Sequence, residues 1–525
     1  MRFRPPLGRR VRAAALPLAV AACAPAAPPV SAPPPHPVRA FPSEAEVRAD
    51  LQRLADSLVT APEWRNAHWG ILIVDPERGD TLYSRNAGKL FMPASNQKLL
   101  TGAVALARLG PDYRFRTELR ALGPAPSQPA VRDSVLVGDL IVTGTGDPTV
   151  SDHARGDGMA PLREIADSLR ARGIRRVTGR LRAGTDHLPG PVLGFGWSWD
   201  DLDAPYSAGV DELLFKEGFS SVVVRAGDMP GDSVRVATRP TRSLPAVAVR
   251  ATTAPAGTRR ALEIARAPGD SGVVITGTIA AGDSAVLSMT HREPAQAYLA
   301  ALQEALAERG ITVAGGVGPQ ADSASAIAGT LLLTVQSPPL REIMPLLQKP
   351  SQNQIAEILY RTIGREVTGV GTPDSARRVV ERQLVAWGAD SIGFAVRDGS
   401  GLSRHDYVTP ETIIRVLAAM RRDTSFALFH AALPIAGVDG TIANRMRDTP
   451  AQGNVHAKTG FIDKARSLSG YVTTADGRQL VFSFLCNNYT VPTREVERVQ
   501  DAIAVRLASM HLRGGPTAAG GAVPK

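Results

Sequence analysis

Apolar and polar positions along this chain fall into distinct textures. Val47, Leu51, Leu54 and Leu58 recur at helical spacing, which predicts an amphipathic helix. Just ahead of them, Ser43-Glu44-Ala45-Glu46 has the form of a capping box, in which a serine and a glutamate three residues on satisfy free backbone N–H groups at a helix start. Apolar runs at 71–74 and 81–84, around a turn at 76–80, predict a hairpin. A helix is expected over 96–109, stopped by Gly110.

From about 115 to 290 the pattern changes. Short β-branched runs at 135–142, 221–225, 233–238 and 272–279 are separated by turn residues. One helical stretch, 160–172, interrupts them, and an amphipathic helix follows at 295–309. After 330, helical patterns return at 340–347, 353–365, 376–387 and 410–421. Strand patterns then occupy 455–460, 467–473 and 479–486, with Asp476-Gly477 as the last hairpin turn. The closing helix, 494–510, places Val496, Val499, Ile503 and Leu507 on one face. Strand and helix patterns thus sit at both ends of a β-rich block. This predicts one α/β (α+β) domain assembled from residues 43–117 and 330–512, interrupted by a β-rich insertion over 118–329 in two subdomains.

A chain of 525 residues with 44% hydrophobic residues has material for two or three cores. Its formal charge is +10, but residues 1–22 hold five arginines and no acid, so half of that charge sits in the first segment. This arginine-rich start leads into an apolar run at about 11–22, too short to span a membrane, and residues 1–23 read as an export signal. Val20-Ala21-Ala22-Cys23 resembles a bacterial lipoprotein cleavage box, with Cys23 as the acylated residue. Ala22-Cys23-Ala24 also fits ordinary cleavage, and Arg9-Arg10 a twin-arginine route. The expected location is the periplasm or cell envelope, lipid-anchored through Cys23. Residues 24–42, mostly Ala and Pro, form an expected tether reaching on the order of 60 Å. Residues 513–525 read as a disordered tail. The remaining basic residues are interspersed with acids, with no basic stripe, so no nucleic-acid partner is expected. No histidine lies in H-E-x-x-H and no zinc-ligand spacing occurs, so no metal and no cofactor is expected. Gly144-Thr145-Gly146 reads as a tight turn rather than a phosphate loop. Cys486, the second of two cysteines, lies in the apolar run 480–486 and reads as a buried structural thiol.

Basic residues are informative here for another reason. Only seven of the 60 are lysines, at 89, 98, 216, 349, 458, 464 and 525. A site that needs a proton acceptor cannot use arginine, which does not deprotonate. Lys98 follows Ser95 by three positions at a helix start, so the two side chains share a helix face. A hydroxyl becomes a good nucleophile when a base takes its proton, and a desolvated lysine can be that base. Ser351-Gln352-Asn353 opens the helix at 353–365, and Lys458-Thr459-Gly460 ends a strand before a hairpin. Each alone has an ordinary reading: a helix start, a helix N-cap, a surface strand end. His456 invites a Ser–His reading but has no carboxylate at a supporting spacing, and a strand-edge histidine accounts for it better.

Taken in order, these three segments resemble the S-x-x-K, S-x-N and K-T-G motifs of penicillin-binding proteins and serine β-lactamases. The long insert between the first two is similar to that of the class C low-molecular-mass penicillin-binding proteins, the D-alanyl-D-alanine carboxypeptidase/endopeptidases (peptidase S13). Gly144–Pro148, Gly196-Trp-Ser-Trp-Asp-Asp201 with Tyr206, and Asp398-Gly-Ser-Gly-Leu-Ser-Arg404 resemble that family too, over about 45–512. The resemblance implies a transpeptidase-like domain with an antiparallel sheet flanked by helices. It implies a serine peptidase acting on peptidoglycan stem peptides and inhibited by β-lactams. By position, Ser95 attacks the carbonyl between two D-alanines and Lys98 accepts its proton. Ser351 and Asn353 relay protons and hold the substrate amide, while Lys458 and Thr459 bind the terminal carboxylate. Gly460 lets substrate backbone lie against the strand, and the N–H groups of Ser95 and Phe461 form an oxyanion hole. Asp201 and Arg404 receive the diaminopimelate side chain, with Asp200 and Asp203 as neighbouring candidates. Two departures stand out: Gln352 where the family often has Asp, and Phe461 where Thr is common. The absence of E-x-x-L-N between the first two motifs argues against fast β-lactam hydrolysis. A β-lactamase or esterase on the same fold, and a non-catalytic penicillin-binding scaffold, are the alternative readings.

Overall fold

The structure, a computed structural model, describes residues 43–123, 131–239, 246–267 and 272–512. The expected export signal (1–23), tether (24–42), Cys23 anchor and tail (513–525) lie outside the described residues. The described residues belong to one compact unit.

Its centre is a five-stranded antiparallel sheet in the order Asp80–Arg85, His68–Asp75, Gln479–Asn487, Ala465–Thr473, His456–Ile462. The chain's first hairpin is therefore completed by its last strands. In the middle strand, Leu480, Phe482, Phe484 and Cys486 face one core while Val481 and Leu485 face the other. A strand covered on both faces needs a continuous apolar run, and this one is nearly fully buried. Cys486 is a free thiol buried there, and burial pushes its pKa up. One face of the sheet is covered by the helices Glu44–Val59 and Thr493–Ala508. Ser43 and Glu46 close the capping box on the first of these. The other face carries a larger helical layer with Gln97–Leu109 at its centre, surrounded by Leu340–Gln348, Asn353–Thr368, Pro373–Ala386 and Pro410–Arg421. At Gly70 a Cβ would lie 2.4 Å from the ring of Phe91, so bare backbone is what lets the loop before the Gln97 helix sit down on the sheet.

Residues between the two halves build further sheets with two hydrophobic clusters of their own. One sheet runs Thr330–Gln336, Arg116–Leu122, Asp139–Gly144, Leu181–Ala183 and packs with the helices Ala160–Ala171 and Pro294–Glu308. Its first two strands are antiparallel neighbours, so the chain leaves the helical layer and returns to it side by side. The other cluster is formed by short strands including Phe219–Arg225, Val273–Ala280 and Ser284–Thr290. The run expected at 135–142 is broken into Val135–Leu136 and Asp139–Gly144 by Gly138, whose φ of 117° turns the backbone where a Cβ would strike the Leu122 carbonyl. The strand Thr330–Gln336 and the helices Ser323–Ala328 and Phe426–Ala432 had no clear periodic signal. Gly144 and Gly146 form a close-packed turn against Glu212, whose carbonyl accepts the Gly146 N–H at 2.8 Å.

Phe482 stacks on Phe484 at 4.6 Å in the middle of the sheet's covered face. Phe482→Ala should lower the unfolding free energy by roughly 3–5 kcal/mol, the usual cost of emptying such a site. Urea denaturation of both proteins checks this.

Candidate active site

Ser95 lies in a single 3-10 turn, Ala94–Asn96, that leads into the Gln97–Leu109 helix. Ala94 holds a left-handed φ of 47°, a conformation that costs a non-glycine residue energy and persists only where its surroundings enforce it. Here the surroundings are specific. Asn96 donates to the Lys458 carbonyl at 2.8 Å, and Ser467 Oγ donates to the Pro93 carbonyl at 2.7 Å. A Cβ at Gly460 would fall 2.9 Å from the Ser95 nitrogen and 2.1 Å from Ser467 Oγ. Sequence reasoning gave Gly460 to the substrate's backbone. In the structure the space its missing side chain leaves is filled by the turn that carries Ser95.

Lys98 emerges one helical turn later and is fully buried. Its Nζ sits 2.9 Å from Ser95 Oγ, 2.6 Å from Asn353 Oδ1 and 2.8 Å from the Ser400 carbonyl. Two of these neighbours are carbonyl oxygens that can only accept. A neutral lysine has two N–H bonds and one lone pair. With both N–H bonds committed to the carbonyls, the lone pair is left to the Ser95 hydroxyl. Burial depresses the lysine's pKa to about 7, against the opposing pull of the Asp398, Glu357 and Asp406 carboxylates. The arrangement can therefore move a proton from Ser95 Oγ to Lys98 Nζ near neutral pH.

The carboxylates were only partly legible in the sequence. Asp398 belongs to the Asp-Gly-Ser-Gly-Leu-Ser segment, but Glu357 and Asp406 carried no signal beyond Glu357 lying one turn after Asn353. Glu357 accepts the Gly399 and Ser400 N–H groups, which aims the Ser400 carbonyl at Lys98. Asp398 accepts from Gly401 N, Ser403 N and the Trp197 indole. Burial, then the charge of Asp398, raises Glu357 to about 7 and Asp406 well above its usual range. The group behind Lys98 thus carries less than its full negative charge, and the desolvation of the lysine dominates.

Ser351 could have been a simple helix cap. It is not: the Asn353–Thr368 helix is capped by Gln352, whose side chain accepts the Ile355 N–H at 2.9 Å. Ser351 has a left-handed φ of 65° and its Oγ accepts from Lys458 Nζ at 2.7 Å. Lys458 is fully buried, and burial, then the nearby positive charges of Lys98 and Arg466, hold its pKa well below the usual lysine value. Thr459 bonds Thr441 at 2.7 Å. Lys458, Thr459, Gly460 and Phe461 all lie on His456–Ile462, the last strand of the central sheet. His456 stacks on His430 at 3.9 Å and takes no part in the serine–lysine network.

In front of these groups is a cleft of about 520 Å³ lined by Ser95, Ser351, Asn353 and Phe461 together with Asp200, Asp201, Tyr206 and Arg404. The Asp201 carboxylate accepts the Tyr206 hydroxyl, and Arg404 donates to the Asp463 carbonyl at 3.2 Å. Asp203, the third acid considered, is absent from this lining and pairs instead with Arg266 at 2.8 Å and Arg292 at 3.3 Å. Elsewhere, Asp186, Asp211 and Glu212 bring carboxylate oxygens within 4.8 Å of one another. Burial, then the hydrogen bond and charge of Asp211, raise the Glu212 pKa above the usual carboxylate range.

If Lys98 must be neutral to take the Ser95 proton, the rate of Ser95 acylation should rise with pH through about 7 and then level off. Lys98→Arg should lower that rate by a factor of about 1,000 or more at every pH, because arginine stays charged. Stopped-flow acylation by a chromogenic β-lactam between pH 5 and 9 checks both.

The chain is similar to known proteins over most of its length. The chain is 36% identical over 474 residues to the D-alanyl-D-alanine carboxypeptidase of Actinomadura sp. (strain R39), covering 88% of this chain and 84% of that protein. It is 27% identical over 458 residues to the D-alanyl-D-alanine carboxypeptidase DacB of Haemophilus influenzae, covering 83% of this chain and 88% of that protein. The crystal structure of penicillin binding protein 4 (dacB) from Haemophilus influenzae superposes with a TM-score of 0.74 at 24% identity, covering 87% of this chain and 99% of that one, and shows the same fold. Residues 51–510 match the model of the D-Ala-D-Ala carboxypeptidase 3 (S13) family, and the chain belongs to that family.

Proposed function

We propose that the protein is a serine D-Ala-D-Ala carboxypeptidase/endopeptidase acting on peptidoglycan stem peptides through an acyl-enzyme on Ser95. The observation that carries this reading is the buried pair of lysines, each against a serine: Lys98 on Ser95 and Lys458 on Ser351. Family membership and the name of the Actinomadura relative support it.

Ser95 Oγ attacks the carbonyl carbon of the penultimate D-alanine, and its proton passes to Lys98. The oxyanion lies at the backbone N–H groups of Ser95 and Phe461, which follows the family pattern. The C–N bond then breaks, and Ser351, hydrogen-bonded to Lys458, delivers a proton to the leaving amine. Ser351 recovers its proton from Lys98, and water then hydrolyses the acyl-enzyme, with the neutral Lys98 taking the water's proton and returning it to Ser95 Oγ as the ester bond breaks. Asn353 orients Lys98 through its oxygen and holds the substrate amide. In the free protein burial disfavours a charged Lys458. A substrate carboxylate arriving beside Lys458 and Thr459 supplies the counter-charge that favours its protonated form. The strand His456–Ile462 ends the sheet, so an extended peptide can lie along its outer side as an added strand. Asp201 and Arg404, with Asp200 beside them, receive the amino- and carboxylate-bearing side chain of the stem peptide. β-Lactams acylate the same serine. Export with a lipid anchor at Cys23, in the periplasm or cell envelope, is proposed from the first 42 residues of the sequence.

Mass spectrometry after penicillin treatment should show one covalent adduct on the wild type and none on Ser95→Ala. The Ala variant should also lose D-alanine release from a D-Ala-D-Ala peptide. An adduct that persists on the variant would overturn the assignment of the nucleophile.

A further inference from the structure

Gln354 follows the Ser351-Gln352-Asn353 segment and had no role in any motif. It is buried to 1% exposure, and both polar atoms of its amide are bonded. Its Nε2 donates to the carbonyls of Pro205 at 3.1 Å and Ala208 at 2.9 Å, and its Oε1 accepts from Gln352 Nε2 at 2.8 Å. The orientation of this amide follows from its neighbours. Gln352 Oε1 is taken by the Ile355 N–H, so its Nε2 is the end left to donate, and it donates to Gln354 Oε1. The Gln354 NH₂ must then face the two carbonyls. Asn353 adds a third bond to the same segment, from its Nδ2 to the Tyr206 carbonyl at 2.6 Å.

The segment so held is the 3-10 turn Pro205–Ser207, which the chain builds some 150 residues before the helix that grips it. Just before it in the chain lie Asp200 and Asp201, the acidic wall of the cleft. The Tyr206 hydroxyl donates to the Asp201 carboxylate, and Ser207 Oγ bonds the Asp201 and Ala204 carbonyls. Asp200 and Asp201 sit in the 3-10 turn just before it, Trp199–Asp201. The Pro205–Ser207 turn, gripped by Gln354 and Asn353, thus ties these acids to the helix that carries the second motif, while Thr290 and Asp203 tie the same segment to the rest of the insertion.

We infer that Gln354 is a positioning residue for substrate selection, locking the acidic wall at the distance that fits a side-chain amine. The departure at Gln352 belongs to the same device: an aspartate there could cap the helix but has no N–H to orient Gln354. This inference rests on the proposed role of Asp201, and its test separates the two.

The test measures hydrolysis of a peptide ending in Lys-D-Ala-D-Ala with its side-chain amine free, and of the same peptide with that amine acetylated. Acylation by benzylpenicillin reports the Ser95 centre alone. Gln354→Met keeps the volume and removes both donors. It should cut the preference for the free amine about tenfold, through KM for that peptide, while penicillin acylation stays within about twofold of wild type. In an Asp201→Asn background the same substitution should cause no further loss. Gln354→Glu keeps the shape and can only accept, so it should give the same split and stands in if the Met variant does not fold. Preference retained in the Gln354 variants, or lost together with penicillin acylation, overturns the inference. Preference retained in Asp201→Asn, or missing in the wild type, places the failure in the role of Asp201 and removes the basis of the inference with it.

Discussion

The site depends on keeping one ammonium group away from water. Lys98 has no solvent to stabilise its charge, and that desolvation outweighs three carboxylates behind it. The outcome is close to a balance, which is what a base working near neutral pH requires. Each part of the balance traces to a packing decision. The sheet and the helical layer bury the lysine, the Glu357 carboxylate fixes the Ser400 carbonyl, and Asn353 occupies the remaining N–H. The strained turn at Ala94 is tolerable because Asn96, Gly401 and Gly460 close around it.

Glycine acts here by absence rather than flexibility alone. At Gly401 a Cβ would lie 1.8 Å from the Ala94 carbonyl, and at Gly460 it would meet the Ser95 nitrogen. The two motif segments are therefore backbone surfaces against which the nucleophile's turn is pressed from both sides. A side chain at either place would displace Ser95 before it touched any substrate.

Much of this was legible along the chain because the periodic signals were strong. The central strand 479–486 announced itself through its apolar run, the closing helix through apolar residues at helical spacing, and Lys98 and Lys458 through the scarcity of lysine. The failures have physical causes. Thr330–Gln336 alternates weakly because much of it is exposed, and Val135–Gly144 reads as one run although Gly138 bends it. Glu357 and Asp406 look like ordinary surface acids on any linear reading, and only tertiary burial gives them meaning. Gln354 was invisible for a similar reason: its partners are backbone carbonyls of a distant turn, which leave no trace in the identity of the residues there.

The order of strands in the central sheet also bears on when the molecule can come to exist. The strand His68–Asp75 pairs with Gln479–Asn487, a separation on the order of 400 residues, and long-range pairing of that kind is slow to form. At a synthesis rate of about 5–20 residues per second, the first hairpin waits roughly 20–80 seconds for its neighbour. The insertion can use that interval, since the strands by which it leaves and returns are mutual partners and its clusters are internal. Until those strands arrive, Asn96 has no Lys458 carbonyl to bond and the Pro93 carbonyl has no Ser467 hydroxyl, so the turn that carries Ser95 is not yet held. Reactivity thus arrives with the final strands, and an unfinished chain has no nucleophile to misuse.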